Sequence, residues 1–445
     1  MSFQYGLTKP QKLIYNMEKY YGGSISVICG STVFKGYIDD KDLRFAINEM
    51  YRLNEALRLR ILETGNGTRQ TVSDFVEYDM DILHFKNESE MESYAAEYAK
   101  MPFDFYGNLC EIRPFVIQGG YGYIAKMHHI ICDAWTMLMT GTQFWAIVNG
   151  EKVKAYNYTE YIADENKYLS GKKYDTDKAF FLDQFKTCEG VTYLTDKKCN
   201  TFETKRKSFI IDMANTKLIN TFVENNHTTL FAVFTTALAI YVSRVKMNTE
   251  KFYIGTAVLN RSGLRQKNTM GMFVNTIPLL IELDNDKVFA ENLVSVENSV
   301  FSAFRHQKYN YGDVLLDVRK EFGFGEPLYD VMISYQNATT TGETKSKWYH
   351  NGAQVESLQI HIHNWNCEAA LQIDYDYQIE KFTEYEIDNI HKGILNLLFD
   401  AIKNDTKKLN QLRLLNTKAF NRIVYEFNNT SVKYSKNNCI RNLFE

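Results

Sequence analysis

The chain has 445 residues, 45% of them apolar, and a formal net charge of −3. That length fits two domains with large packed cores, and the near-neutral charge excludes the signature of a nucleic-acid or polybasic membrane-surface partner. Seven scattered cysteines without a CxxC pair suggest neither a disulfide framework nor a zinc ribbon, and they fit a reducing cytoplasm.

The N-terminus has no basic segment followed by an apolar run, so no signal peptide is expected. An apolar stripe of Leu13, Ile14, Met17, Tyr20 and Tyr21 predicts a helix over 9–21. A strand over 24–35 and a helix over 39–54 follow. Residues 57–62 read as a strand carrying Arg58 and Arg60 on one face. A helix over 88–100 precedes a β-hairpin formed by 110–117 and 123–131. The next helix begins after Asp133 and stops near Asn149-Gly150, a C-cap signal.

Polar residues dominate 160–177, which predicts a surface crossing between two halves. Beyond it, helices are expected over 177–187, 215–223, 228–245, 288–306 and 385–402. Strands are expected over 200–213, 252–258, 331–335, 357–362 and 369–377. Residues 260–267 read as a polar loop, and 270–279 as a loop leading into a strand. The apolar run from Leu230 to Val242 is interrupted by Thr235 and Thr236 and is too short to span a bilayer.

The stretch Tyr123 to Trp135 stands out. A buried strand ends on His128 and His129, and a tight loop carrying Asp133 leads into an apolar helix. Neighbouring strand residues point to opposite faces, so the two histidines have different jobs. One can serve as a base; two packed, silent core histidines are an equal alternative on these residues alone. A metal triad would need a distorted strand, and no G-x-S-x-G elbow supports a serine hydrolase. Asp133 would be a buried carboxylate in need of a cation, and Arg58 is the predicted partner. His361 and His363 share a strand face and mimic a metal pair, but no carboxylate or cysteine companion is obvious. Lys205, Arg206 and Lys207 read as a solvated face before a phosphate site.

The segment Met127-His-His-Ile-Ile-Cys-Asp-Ala134 resembles the HHxxxDG motif of nonribosomal peptide synthetase condensation domains, relatives of chloramphenicol acetyltransferase. Other stretches resemble the remaining family motifs in order. They are Leu7 to Tyr15, Asn54 to Arg60, Gly271 to Thr276, Arg305 to Tyr309, and Pro327 to Gln336. Gln11-Lys12, Glu18-Lys19-Tyr20, Asp177 to Phe180, Gln184-Phe185, Asn260-Arg261 and Arg305 to Tyr309 resemble starter domains of surfactin-type lipopeptide synthetases.

The resemblance implies an α/β (α+β) fold of two acetyltransferase-like lobes in a V-shaped pseudo-dimer, with a tunnel between them. The lobes would cover 1–170 and 171–412, and 413–445 would be a linker toward an adenylation domain. His129 would face the reacting groups, with His128 beside it and Asp133 as an anchor. Ala134, Trp135, Met270, Asn275, Tyr335 and Gln336 would line the tunnel. No metal or resident cofactor is implied. Acyl-CoA would be the donor, and phosphopantetheine on a downstream peptidyl carrier protein would hold the acceptor amino acid. The chain would be a cytoplasmic monomer with no nucleic-acid or membrane partner. The implied activity is N-acylation of that first amino acid. An elongating condensation domain fed by an upstream carrier, or a non-catalytic docking domain, are the alternatives. Ala134 departs from the family glycine, which is harmless unless the loop needs a positive φ. Cys132 stands where serine is common and reads as a buried filler. The segment around His361 would belong to a latch-like crossing between the lobes.

Overall fold

The structure, a computed structural model, describes residues 3–188, 191–246, 249–336, 344–364 and 370–431. The expected linker therefore falls partly outside the described residues, as does Ala369.

The first half runs Tyr5–Gly6 (β1), Lys9–Tyr20 (α1), Val27–Lys35 (β2), Asp40–Leu53 (α2), Leu59–Thr64 (β3), Gly67–Val72 (β4), Leu83–His84 (β5), Glu88–Tyr98 (α3), Cys110–Ile117 (β6), Gly120–His128 (β7), Ala134–Val148 (α4), Tyr158–Leu169 (α5) and Lys172–Phe185 (α6). The second half runs Thr204–Ile211 (β8), Met213–Asn225 (α7), Leu230–Val245 (α8), Lys251–Val258 (β9), Gly263–Lys267 (α9), Asn275–Glu282 (β10), Phe289–Arg305 (α10), Tyr311–Phe322 (α11), Val331–Gln336 (β11), Thr344–Tyr349 (β12), Leu358–His363 (β13), Leu371–Gln378 (β14), Glu384–Lys403 (α12) and Thr417–Asn421 (α13).

Each half builds a mixed sheet with helices packed on it. The first sheet has strand order β12-β2-β7-β6-β5, and the second β10-β9-β11-β13-β14-β8. A small sheet, β1-β4-β3, flanks the first. All nine residues of β7 are buried. It is a central strand between β2 and β6, which explains why it reads as an apolar run rather than an alternating one.

The two halves interlock through two segments. Strand β12 leaves the second half and pairs antiparallel with β2, from Thr344 opposite Phe34 to Tyr349 opposite Cys29. Met270, Met272 and Phe273 insert into the core of the first half. The strand that crosses is thus β12. The segment carrying His361 and His363, expected to cross, lies inside the second sheet between β11 and β14.

Residues 160–177, expected as a polar surface crossing, form most of α5 and the start of α6 with a break at Ser170-Gly171, and Tyr158, Tyr161, Ile162 and Phe181 give these helices buried faces. One further expectation is corrected. Arg58 closes a 3-10 turn over Glu55–Arg58, and β3 starts only at Leu59, so Arg58 and Arg60 do not share a strand.

Helix α1 matters most for the site. Thr8 and Gln11 form a reciprocal capping box and Pro10 sits in the first turn, a start signal worth about 1 kcal/mol. Gln11 is fully buried and donates from Nε2 to the carbonyl of Ile130 at 3.0 Å, tying α1 to the histidine loop. No single described helix is long and apolar enough to cross a membrane. The apolar α8 is instead a core helix, buried along most of its length.

Candidate active site

The two histidines diverge as the strand geometry requires. His128 is the last residue of β7 and is 1% exposed. Its Nδ1 accepts a hydrogen bond from the Ile130 N–H at 3.1 Å, and its ring packs against Phe103 and Phe105. His129 begins the turn beyond β7 and is partly exposed. Its backbone N–H donates to the Ser26 carbonyl at 2.6 Å.

The His129 ring has a defined tautomer. Nδ1 lies 2.9 Å from the Cys132 carbonyl, which only accepts, so Nδ1 carries the hydrogen. Nε2 is left with its lone pair and has no hydrogen-bond partner among the described residues. Burial lowers the pKa of His129 below 6.5, outweighing the Asp133 charge and the carbonyl that pull it up. The imidazole is therefore neutral at pH 7 and able to accept a proton.

Asp133 is fully buried and does three things at once. It caps α4 by accepting from the Thr136 N–H at 2.9 Å. It accepts from the backbone N–H groups of Phe273 and Val274 at 3.0 and 3.2 Å. It also forms a two-pronged ion pair with Arg261, at 2.6 and 3.1 Å. Burial alone would raise its pKa; the Arg261 charge and these hydrogen bonds hold it below the ordinary 3.8.

The expected partner, Arg58, is thus replaced by Arg261. Arg58 spends its guanidinium on the carbonyls of Tyr51 and Ser73. Arg261 comes from the loop after β9, where Asn260 adopts φ 51°. Asparagine tolerates this left-handed conformation, and the turn sends Arg261 inward instead of to solvent. The Arg261 guanidinium lies 4.1 Å above the Phe273 ring and also donates to the Gly271 carbonyl at 3.2 Å. Gly271 (φ 149°) is required here, since a Cβ would lie 2.1 Å from the Tyr158 ring. An arginine in a stretch of polar residues reads as exposed; only the Asn-Arg pair directly after a buried strand hinted otherwise.

The remaining expected residues separate. Ala134 is the first residue of α4 and partly exposed. Among the described non-glycine residues only His227 and Asn260 have positive φ, so Ala134 brings no backbone strain. Trp135 donates its indole N–H to the Lys267 carbonyl at 2.9 Å, joining α4 to the end of α9. Met270 is 1% exposed, inside the first core rather than along a cleft. Asn275 is saturated: it donates to the carbonyls of Gln307 and Tyr309 and accepts from Asn310 and the Tyr311 N–H. Tyr335 packs against the second core, and by strand alternation Gln336 points the other way. Cys132 is fully buried, and burial pushes its thiol well up, as a filler requires.

A second histidine cluster lies on one face of the second sheet. His361 Nδ1 meets Ser334 Oγ at 2.8 Å, and its Nε2 lies 3.3 Å from Asp376. His363 Nε2 lies 3.1 Å from Asp374. Arg206 grips Asp376 through two bonds of 2.7 Å. Carboxylate companions thus exist, contrary to expectation, but they serve as ion-pair and hydrogen-bond partners. No three-residue group suited to a metal ion occurs among the described residues.

Two open spaces lie against the helices that follow and precede the histidine loop, α4 and α1. A cavity of about 50 Å³ lies between α4 and the first sheet, lined by Gly30, Thr32, Tyr123, Met137 and Gly141 among others. A groove of about 350 Å³ runs between α1 and α11, with Lys9, Lys12 and Arg319 on its rim and Leu13 and Leu315 within.

Comparison with known proteins gives one consistent answer. The Condensation domain family model matches residues 1–424. Surfactin synthase subunit 1 from Bacillus subtilis (strain 168) is 27% identical over 469 residues, covering 99% of this chain and 13% of that protein. Gramicidin S synthase 2 from Aneurinibacillus migulanus is 23% identical over 462 residues, covering 99% and 10%. The chain therefore spans less than a fifth of the length of these relatives. Among solved structures, the starter condensation domain of rhizomide synthetase in complex with C8-CoA aligns with TM-score 0.82 at 17% identity, over 93% of this chain and 98% of that one. The first condensation domain of the calcium-dependent antibiotic synthetase aligns with TM-score 0.80 at 17% identity, over 93% and 100%. At these identities the structural likeness establishes the fold.

Proposed function

Because the chain belongs to the condensation-domain family, we propose that it is a starter domain, joining a fatty acyl group from acyl-CoA to the amine of a carrier-bound amino acid. The observation that supports this chemistry most directly is the spare Nε2 of a neutral, tautomer-fixed His129. The amine attacks the thioester carbonyl, a C–N bond forms and the C–S bond breaks. The amine proton passes to His129 Nε2 and leaves with the thiolate as thiol. A positioned base contributes typically ~10²–10⁴-fold. Holding two dilute thioesters together adds up to about 7–11 kcal/mol. Asp133 and Arg261 touch no substrate in this reading; they hold the loop.

The starter assignment draws on the similarity to surfactin synthase subunit 1 and on the likeness to a domain solved with C8-CoA. In this reading the cavity behind α4 takes the end of the acyl chain. Lys12 and Arg319 of the α1–α11 groove suit the phosphate of a carrier's phosphopantetheine, Lys9 being paired with Asp313. The downstream carrier and a following adenylation domain are the expected partners, in the cytoplasm.

The test is an acyl-CoA series offered with an aminoacyl-loaded carrier and no upstream carrier, read by mass. N-acylated product supports a starter; product only when the donor sits on an upstream carrier makes the domain an elongating one. Gly141→Leu should shift preference toward shorter chains, because it fills the cavity behind α4.

A further inference from the structure

Glu18, on the last turn of α1, has no place in the mechanism above. Its carboxylate oxygen Oε2 lies 3.3 Å from His128 Nε2. Both atoms are buried, and they face each other at contact distance without the alignment of a hydrogen bond; among the described residues no other group satisfies either. The hydroxyl of Ser26 lies beside the same carboxylate and is also buried without an aligned partner. Burial pushes the Glu18 pKa up, but His128 and Ser26 more than offset it, so Glu18 is ionised.

The bonds around His128 then admit one tautomer. Nδ1 accepts from the Ile130 N–H, so the hydrogen must sit on Nε2, which faces the carboxylate. The alternative tautomer would set Nδ1–H against the Ile130 N–H, donor against donor. It would also leave a buried carboxylate unsatisfied. The Ile130 bond, with Ile131 N–H donating to the His128 carbonyl at 3.0 Å, shapes the turn that carries His129. Ser26 closes the loop of contacts, since its carbonyl holds the His129 N–H.

We propose that Glu18 is a positioning residue for His129, acting through the tautomer of His128 and the turn after β7. The rate consequence rests on the acyl-transfer reading; the tautomer does not.

The experiment uses the whole chain with ¹⁵N-histidine. Long-range ¹H–¹⁵N spectra should show His128 as the Nε2–H tautomer in the wild type and in Glu18→Gln, whose amide oxygen still accepts. In Glu18→Ala only the Ile130 N–H still favours that tautomer, so the Nε2–H signal should weaken and broaden. Glu18→Ala should also lower kcat about ten- to hundredfold with KM unchanged, as expected for a misplaced reacting group. Glu18→Gln should stay within about threefold of wild type. An Nδ1–H tautomer in the wild type overturns the proposal, as does Glu18→Ala with wild-type kcat. Equal losses in the Ala and Gln variants overturn it too. A wild-type chain inactive with every thioester would refute the acyl-transfer reading instead, and the spectra would still decide the tautomer.

Discussion

The molecule holds two histidine pairs on strands, and they end up with opposite characters. At the end of β7, adjacency sends His128 inward and leaves His129 at the start of a turn with an unused lone pair. Along β13, spacing by two puts His361 and His363 on one face, where Ser334 and Asp376 take the two ring nitrogens of His361 and Asp374 takes Nε2 of His363. Both groups also contain a buried carboxylate gripped by arginine, Asp133 by Arg261 and Asp376 by Arg206. The difference that matters for chemistry is therefore an exposed spare valence, not residue type. A histidine buried against carboxylates stabilises a sheet; a partly exposed one whose partners stop at Nδ1 is available to a substrate.

That contrast can be strained at several points. The largest stability loss should come from Arg261→Ala, which strands a buried carboxylate; about 3–5 kcal/mol is expected by chemical denaturation. Asp133 has a folded pKa below its unfolded one. Its contribution is therefore full above pH 3.8 and is lost as pH falls through the lower folded value. Asp374, held at about 2 although burial opposes it, should lose its contribution between pH 3.8 and about 2. Next comes His363→Ala, which removes a hydrogen bond to a buried carboxylate. We expect a loss of about 1–3 kcal/mol by chemical denaturation, with acylation rate retained. A large rate loss with intact stability would make the β13 cluster a second reacting site and erase the comparison. Arg58→Ala should cost about 1 kcal/mol, since among the described residues its guanidinium hydrogen-bonds backbone carbonyls. The smallest effect is expected from Ala134→Gly, with wild-type activity and a loss of about 1 kcal/mol or less, because residue 134 is helical.

The hairpin, the loop and α4 were legible in the sequence because they depend on local signals: an apolar strand run, an aspartate ahead of an apolar helix and an Asn-Gly stop. Asp133 as an anchor was legible too, since a buried carboxylate demands a cation. Its partner was not. Arg261 is distant in sequence and turned inward by a left-handed asparagine, so nearness of elements pointed to Arg58 instead. The crossing strand β12 was missed because its lysines, Lys345 and Lys347, hide a pairing made with a strand some 310 residues earlier. Glu18 stands out in the sequence only as part of a motif; its role needs the fold that brings α1 against the end of β7.

The most direct measurement is single-turnover acylation by His129→Ala, followed as mass added to an aminoacyl-loaded carrier, with thermal unfolding measured alongside. The account predicts a melting temperature like wild type and a rate reduced by about 10²-fold or more. Product formed at the wild-type rate by a folded His129→Ala chain would contradict it.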